Sequence, residues 1–104
     1  MRAALADIQG LTDGDRARFA ADRKAQQAVA YNLAVLGEAA RALSRELRER
    51  YPDVPWRLMI DQRNVVVHAY HSLDVENLWT TATEDVPQLD AQLKAVEIAE
   101  RDPS

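Results

Sequence analysis

The feature that most constrains the fold is an apolar stripe between Asp22 and Arg50. This stretch has no proline and a single glycine, Gly37, beside the small residues Ala39 and Ala40. Its apolar residues recur at steps of four and three, namely Val29, Leu33, Leu36, Ala40, Leu43 and Leu47. That spacing places them on one face of an α-helix. We therefore predict one amphipathic helix over this stretch, with room at Gly37 for a neighbouring helix to approach closely.

The segment after this helix contains two prolines and then a further helical pattern. Pro52 and Pro55 lack an amide hydrogen and push the preceding residue out of helical geometry, so they end the first helix. A third helix is predicted from Pro55 and Trp56 to Tyr70 or His71. The β-branched run Val65–Val67 would also suit a strand, but the chain offers no partner strand for it.

The two ends of the chain are also predicted to be helical. Asp74 is a plausible N-cap for a last long helix, in which Pro87 must produce a kink or a break. Its apolar series again steps by three and four: Val75, Leu78, Ala82, Val86, Leu89, Leu93 and Val96. A short helix over Arg2–Gln9 precedes a loop, Gly10–Asp15, and a further turn around Arg16–Ala21.

Together these elements predict an all-α fold, a small helical bundle with two long antiparallel helices and shorter helices packed across them. The 104 residues are expected to form one domain, with residues 1–21 as a short helix and loop and residues 22–100 as the core helices. Trp56 and Trp79 fit either the core or an oligomeric interface.

Composition narrows the classes of function. The chain has no cysteine and two histidines, which excludes a disulfide framework and argues against a structural zinc site. Residues 1–10 lack a signal-peptide core and no apolar run approaches a membrane span, so a cytoplasmic location is expected. The formal net charge of −4 argues against binding nucleic acid through a general electrostatic field, although a local basic cleft remains compatible with it.

Both histidines, His68 and His71, lie within one turn of each other and shortly after Arg63. Any imidazole chemistry must therefore occur here. The alternative is structural: His68 would cap a helix end or face solvent, and Arg63 would pair with a surface carboxylate. On a helix Arg63 and His68 differ by about 140° around the axis, so one helix cannot easily focus both on one atom. A twofold composite site would bring them together.

In such a cleft Arg63 would hold a phosphate through charge-assisted hydrogen bonds, and a neutral His68 could take or give a proton near pH 7. These are the groups that a metal-free ribonuclease needs. The ribose 2′-hydroxyl would attack the adjacent phosphorus while Arg63 stabilises the developing negative charge. DNA lacks that hydroxyl and would not react.

The segment Arg63-Asn64, His68 and Tyr70 resembles the HepT-like branch of the HEPN superfamily, whose mark is Arg, four to six residues, His, and a Tyr two residues later. The resemblance extends over roughly residues 22–95 through Tyr31–Ala40, Leu43-Ser44, Pro52–Trp56 and Glu84–Leu89. The family pattern has a longer first helix than this chain, so we expect the shorter start to alter core packing or dimer formation.

The resemblance implies a homodimer of helical bundles that acts as a metal-independent RNA endonuclease toxin without a cofactor. Arg63 and His68 would be catalytic and Asn64 would support them. The implied partner is a minimal nucleotidyltransferase (MNT) antitoxin, which would transfer AMP to Tyr70 and so place bulk and negative charge beside Arg63. The main alternative is a non-catalytic subunit that uses the same residues for nucleotide binding or for docking to a nucleotidyltransferase.

Overall fold

The computed structural model describes residues 1–12, 14–68 and 74–101, the side chains of residues 65–68 excepted. Within these ranges the chain is helical and contains no strand, which confirms the all-α prediction. The helices are α1 (Arg2–Leu11), α2 (Arg16–Ala21), α3 (Arg23–Ala42), α4 (Arg45–Arg50), α5 (Trp56–His68), α6 (Val75–Thr80) and α7 (Val86–Arg101), with a π-helical segment, Thr81–Asp85, joining the last two. No described helix is both long and apolar enough to cross a membrane.

The prediction of one continuous helix over residues 22–50 is wrong, because the helix breaks at Leu43 and Ser44. Both residues have extended backbone angles, with ψ of 147° and 149°. The Ser44 hydroxyl accepts a hydrogen bond from the Leu47 amide at 3.1 Å, which caps α4. A serine cap of this kind stabilises a helix start by about 1 kcal/mol. The apolar stripe continues in phase across the break, so periodicity alone did not reveal it.

Among the described residues, helices α3 and α5 form the most extensive helix pair. The loop that joins α4 to α5 is fixed by specific contacts. The loop residue Val54 is buried, and the Trp56 indole Nε1 donates a hydrogen bond to the Tyr51 carbonyl at 3.0 Å. Trp56 is itself buried, so it is a core residue. This arrangement sets the position at which α5 begins and therefore its register against α3.

The carboxyl-terminal third follows the predicted pattern, with one local change of helix type. The Asp74 side chain accepts a hydrogen bond from the Asn77 amide and caps α6, as predicted. Before Pro87 the helix widens into the π-helical segment, where the Val86 amide bonds to the carbonyl of Thr81, five residues earlier. Proline has no amide hydrogen and its ring crowds the preceding turn, so a wider turn accommodates it. The chain stays helical through Pro87, so the predicted break does not occur there; the change that the structure shows is the π-helical segment just before the proline.

The core is formed mainly by α1, α3, α5 and the stretch from α6 to α7. Its buried apolar residues include Leu5, Ile8, Phe19, Val29, Leu33, Leu36, Met59, Leu78, Val86, Leu89 and Leu93. Trp79 is half-buried and packs against the core at Phe19, with ring centroids 5.5 Å apart. Arg2 pairs with Asp90 at 3.1 Å and ties α1 to α7. Helix α1 is thus an integral part of the bundle.

Candidate active site

Arg63 lies at the closest approach of α3 and α5. A Cβ atom placed on Gly37 of α3 would lie 2.2 Å from the Arg63 Cβ and 2.8 Å from the Met59 carbonyl oxygen. Real Cβ contacts are never this short, so only glycine allows the two backbones to pack at this distance. The prediction that Gly37 admits a neighbouring helix is confirmed. The helix that packs against Gly37 is α5, and the contact is made at Arg63.

The Arg63 side chain is seated deeply and makes polar contacts at its outer end. Its Nε is buried and lies 2.5 Å from the Glu38 Oε1 as an ion pair, without the alignment of a hydrogen bond. Its Nη1 donates a hydrogen bond to the Asn64 Oδ1 at 3.0 Å. The side chain remains 27% exposed, so the guanidinium is held in place and still reaches the surface.

The contact between Glu38 and Arg63 was not predicted from the sequence. The two residues stand 25 positions apart, and no periodicity links them. One feature of the sequence could have indicated this contact: Glu38 directly follows Gly37, inside the segment Tyr31–Ala40 that carries the family resemblance. A glycine that allows close helix packing brings its neighbours on α3 within reach of α5, and Glu38 is the ionisable one.

The structure places the predicted site residues on or after α5. Asn64 is exposed on the helix surface. Since α5 runs unbroken to His68, the backbone positions of Arg63 and His68 keep the offset of about 140° around its axis. The side chain of His68 and the whole of Tyr70 and His71 lie outside the described residues. That the Arg63 and His68 side chains act together on one phosphate therefore stays a prediction.

Carboxylates are spread over the surface of the described helices. Within the ranges that the structure covers, no three His, Cys, Asp or Glu side chains converge in a way that could hold a metal ion. Among the described residues, the polar partners of Arg63 are one carboxylate, Glu38, and one amide, Asn64. An arginine in this environment can exchange the carboxylate for a phosphate, because both anions bind the same guanidinium edge.

The all-helical fold and the Arg-Asn pair on its fifth helix define the class of protein: a small HEPN-like helical domain. The family model described as Ribonuclease HepT-like matches residues 1–96. The chain belongs to the HepT-like ribonuclease family.

Individual relatives support this assignment. The chain is 34% identical over 89 residues to a protein of Methanocaldococcus jannaschii named as a candidate RNase, covering 86% of this chain and 82% of that protein. It is 39% identical over 71 residues to the probable ribonuclease HepT of Thermococcus cleftensis, covering 68% and 64% of the two chains. A third relative, named as a candidate RNase of Caldanaerobacter subterraneus, is 30% identical over 89 residues, covering 86% and 77%. No solved structure matches the chain significantly.

Proposed function

We propose that this protein is a metal-independent RNA endonuclease in which Arg63 binds the scissile phosphate and His68 transfers protons. The main support for the proposal is the position of the Arg63 side chain. It packs against α3 at Gly37, donates a hydrogen bond to Asn64 and is still partly exposed. A fixed cation that reaches solvent suits a phosphate that must be bound before it reacts. Membership of a ribonuclease family supports RNA as the substrate.

In the proposed reaction a neutral imidazole of His68 accepts the proton of the ribose 2′-hydroxyl. The 2′-oxygen then forms a bond to the adjacent phosphorus, and the bond from phosphorus to the 5′-oxygen breaks. Arg63 stabilises the extra negative charge on the phosphoryl oxygens. The departing 5′-oxygen takes up a proton, from an imidazolium or from water. The products are a 2′,3′-cyclic phosphate and a free 5′-hydroxyl.

The proposed active unit is a homodimer. Because the positions of Arg63 and His68 point about 140° apart on α5, one copy of the helix does not readily aim both groups at one phosphorus. A twofold axis beside α5 would place Arg63 of one subunit and His68 of the other in the same cleft. The site would then be complete only in the dimer.

A mixing experiment tests this arrangement together with the catalytic roles. Arg63→Ala and His68→Ala variants, each folded, should both fail to cleave RNA. Refolded together at equal amounts, they should regain roughly a quarter of wild-type activity, since half of the dimers would be mixed and each would hold one intact site. Recovery would support the composite site. If the mixture stays inactive while the wild type cleaves, both groups come from one subunit, and retained activity of folded His68→Ala alone would reject its catalytic role.

We further propose that the protein is the toxin of a toxin-antitoxin pair and that an MNT-type nucleotidyltransferase silences it by transferring AMP to Tyr70. In that transfer the tyrosine hydroxyl attacks the α-phosphorus of ATP, and pyrophosphate leaves. The added phosphate would carry negative charge to the surroundings of Arg63 and compete there with an RNA phosphate.

One observation favours the alternative function, a non-catalytic subunit that binds a nucleotide or docks to a nucleotidyltransferase. The Arg63 guanidinium already has Glu38 and Asn64 as partners, which is also what a purely structural ion pair would show. The two functions differ in a direct assay. A docking subunit would bind the nucleotidyltransferase tightly and leave RNA intact after the two proteins are separated.

A further inference from the structure

Three arginines surround a shallow concavity where α4 meets the start of α5, away from the catalytic motif. The concavity measures about 540 Å³, and its lining includes Arg45, Arg48, Arg57, Glu49 and Trp56. Three positive charges therefore face one carboxylate, on a chain whose overall charge is −4. We call this surface the basic corner.

The arginines of the basic corner are available to an anion. The side chains of Arg45 and Arg57 are 86% and 92% exposed. Arg45 pairs with Glu49 one helical turn away, and the Arg57 Nε lies 3.8 Å from the Asp61 Oδ1. Exposed ion pairs of this kind contribute little to stability, so a phosphate can displace them. The buried Nε of Arg48 has no hydrogen-bond partner among the described residues. The Nε of Arg48 is therefore a donor that a phosphate oxygen could use.

The basic corner is connected to the motif along a single face of α5. Arg57 and Asn64 are seven residues apart, so they differ by about 20° around the helix axis and by about 10 Å along it. Both are exposed, and Asn64 holds the Arg63 guanidinium. Asp61 lies between them and is the one acidic side chain of this face among the described residues. A polymer that passes over the motif can therefore extend along α5 to the basic corner.

We propose that the basic corner binds the phosphodiester backbone of RNA a few nucleotides away from the scissile phosphate, an inference that rests on the proposed function for the identity of the polymer. The corner supplies planar guanidinium groups, which suit phosphates, and contacts to phosphates carry no base specificity. An acidic protein gains in this way a local site for a substrate that its overall field repels.

The test uses RNA oligonucleotides with 2′-O-methyl groups, which cannot be cleaved by attack of a 2′-hydroxyl. Binding of a strand of about twelve nucleotides and of a dinucleotide, which has a single phosphodiester, is measured by fluorescence anisotropy over a range of salt concentrations. The double variant Arg45→Gln/Arg57→Gln should bind the long strand roughly tenfold more weakly, with a salt slope smaller by about one to two. Its affinity for the short strand, whose single phosphodiester cannot lie at the motif and at the corner at once, should stay within about twofold of wild type.

Arg18→Gln/Arg23→Gln is the matched control, because it makes the same change in net charge at two exposed arginines of α2 and α3. It should leave binding of the long strand within about twofold of wild type. An equal loss in both double variants, unchanged binding in the corner variant, or the absence of any RNA binding by the wild type would overturn the proposal. So would a corner variant that loses a nucleotidyltransferase partner and still binds RNA normally.

The same measurements, together with a cleavage assay, distinguish RNA binding at the basic corner from RNA cleavage by Arg63 and His68. If the wild type binds RNA through the corner but does not cleave it, the endonuclease proposal fails and the binding site stands. If the wild type cleaves RNA and the corner variant binds the long strand normally, only the corner is rejected.

Discussion

Gly37 and Arg63 meet across the α3–α5 interface so closely that a single methyl group on Gly37 would lie 2.2 Å from the Arg63 Cβ. The same contact allows the core to pack and seats the proposed phosphate-binding residue. Gly37→Ala must therefore move α5 away from α3. We expect a loss of about 1–3 kcal/mol in the free energy of unfolding, measured by urea denaturation, together with a loss of RNA cleavage.

Gly10→Ala is the control for this prediction. Gly10 lies within α1, and a Cβ there would meet nothing within 4 Å. Alanine at such a position should raise stability by about 0.5–1 kcal/mol, because alanine loses less backbone entropy than glycine on entering a helix. A Gly37→Ala protein as stable and active as Gly10→Ala would contradict the close packing described here.

Glu38 is expected to weaken RNA binding while it holds Arg63 in position. Glu38→Gln keeps an oxygen near the Arg63 Nε and removes the negative charge that competes with a phosphate. RNA affinity should therefore rise by roughly threefold, as expected for loss of a partly exposed ion pair. Glu84→Gln, at an exposed carboxylate of the π-helical segment, controls for the change in net charge.

A double-variant cycle makes the Glu38 prediction specific. In an Arg63→Ala background the Glu38→Gln change should have no more effect than Glu84→Gln, because its action depends on Arg63. A fall in affinity on Glu38→Gln would show instead that the carboxylate is needed to present the guanidinium.

Spacing in the sequence predicted more of this fold than of its site. The stripes around Leu33 and Leu89 and the Asp74 cap depend on local chemistry, which can be read directly from the sequence. The break at Ser44 was missed because the apolar stripe stays in phase across it. The contact between Glu38 and Arg63 depends on the register of two helices, which results from packing around Gly37 and which no periodicity in the sequence encodes.

The modification proposal makes Tyr70 the target of AMP transfer. After incubation with the cognate nucleotidyltransferase and ATP, peptide mass spectrometry should find AMP on Tyr70 and none on Tyr31 or Tyr51. Tyr31 is a demanding control, because it lies on α3 and is 64% exposed, so the nucleotidyltransferase could reach its hydroxyl.

Tyr70→Phe should escape modification, because phenylalanine lacks the hydroxyl that accepts AMP. It should keep much of the nuclease activity and stay toxic in cells that also express the nucleotidyltransferase. An unmodified Tyr70 in a fully neutralised complex would mean that the partner acts by occlusion alone.

The ends of the products formed in excess EDTA show directly whether Arg63 and His68 cleave RNA through its own 2′-hydroxyl without a metal. The wild type should still cleave and should leave a 2′,3′-cyclic phosphate and a 5′-hydroxyl, while folded His68→Ala should leave the RNA intact. Cleavage that stops on chelation and returns with Mg²⁺, or products that carry a 5′-phosphate and a 3′-hydroxyl, would contradict the account.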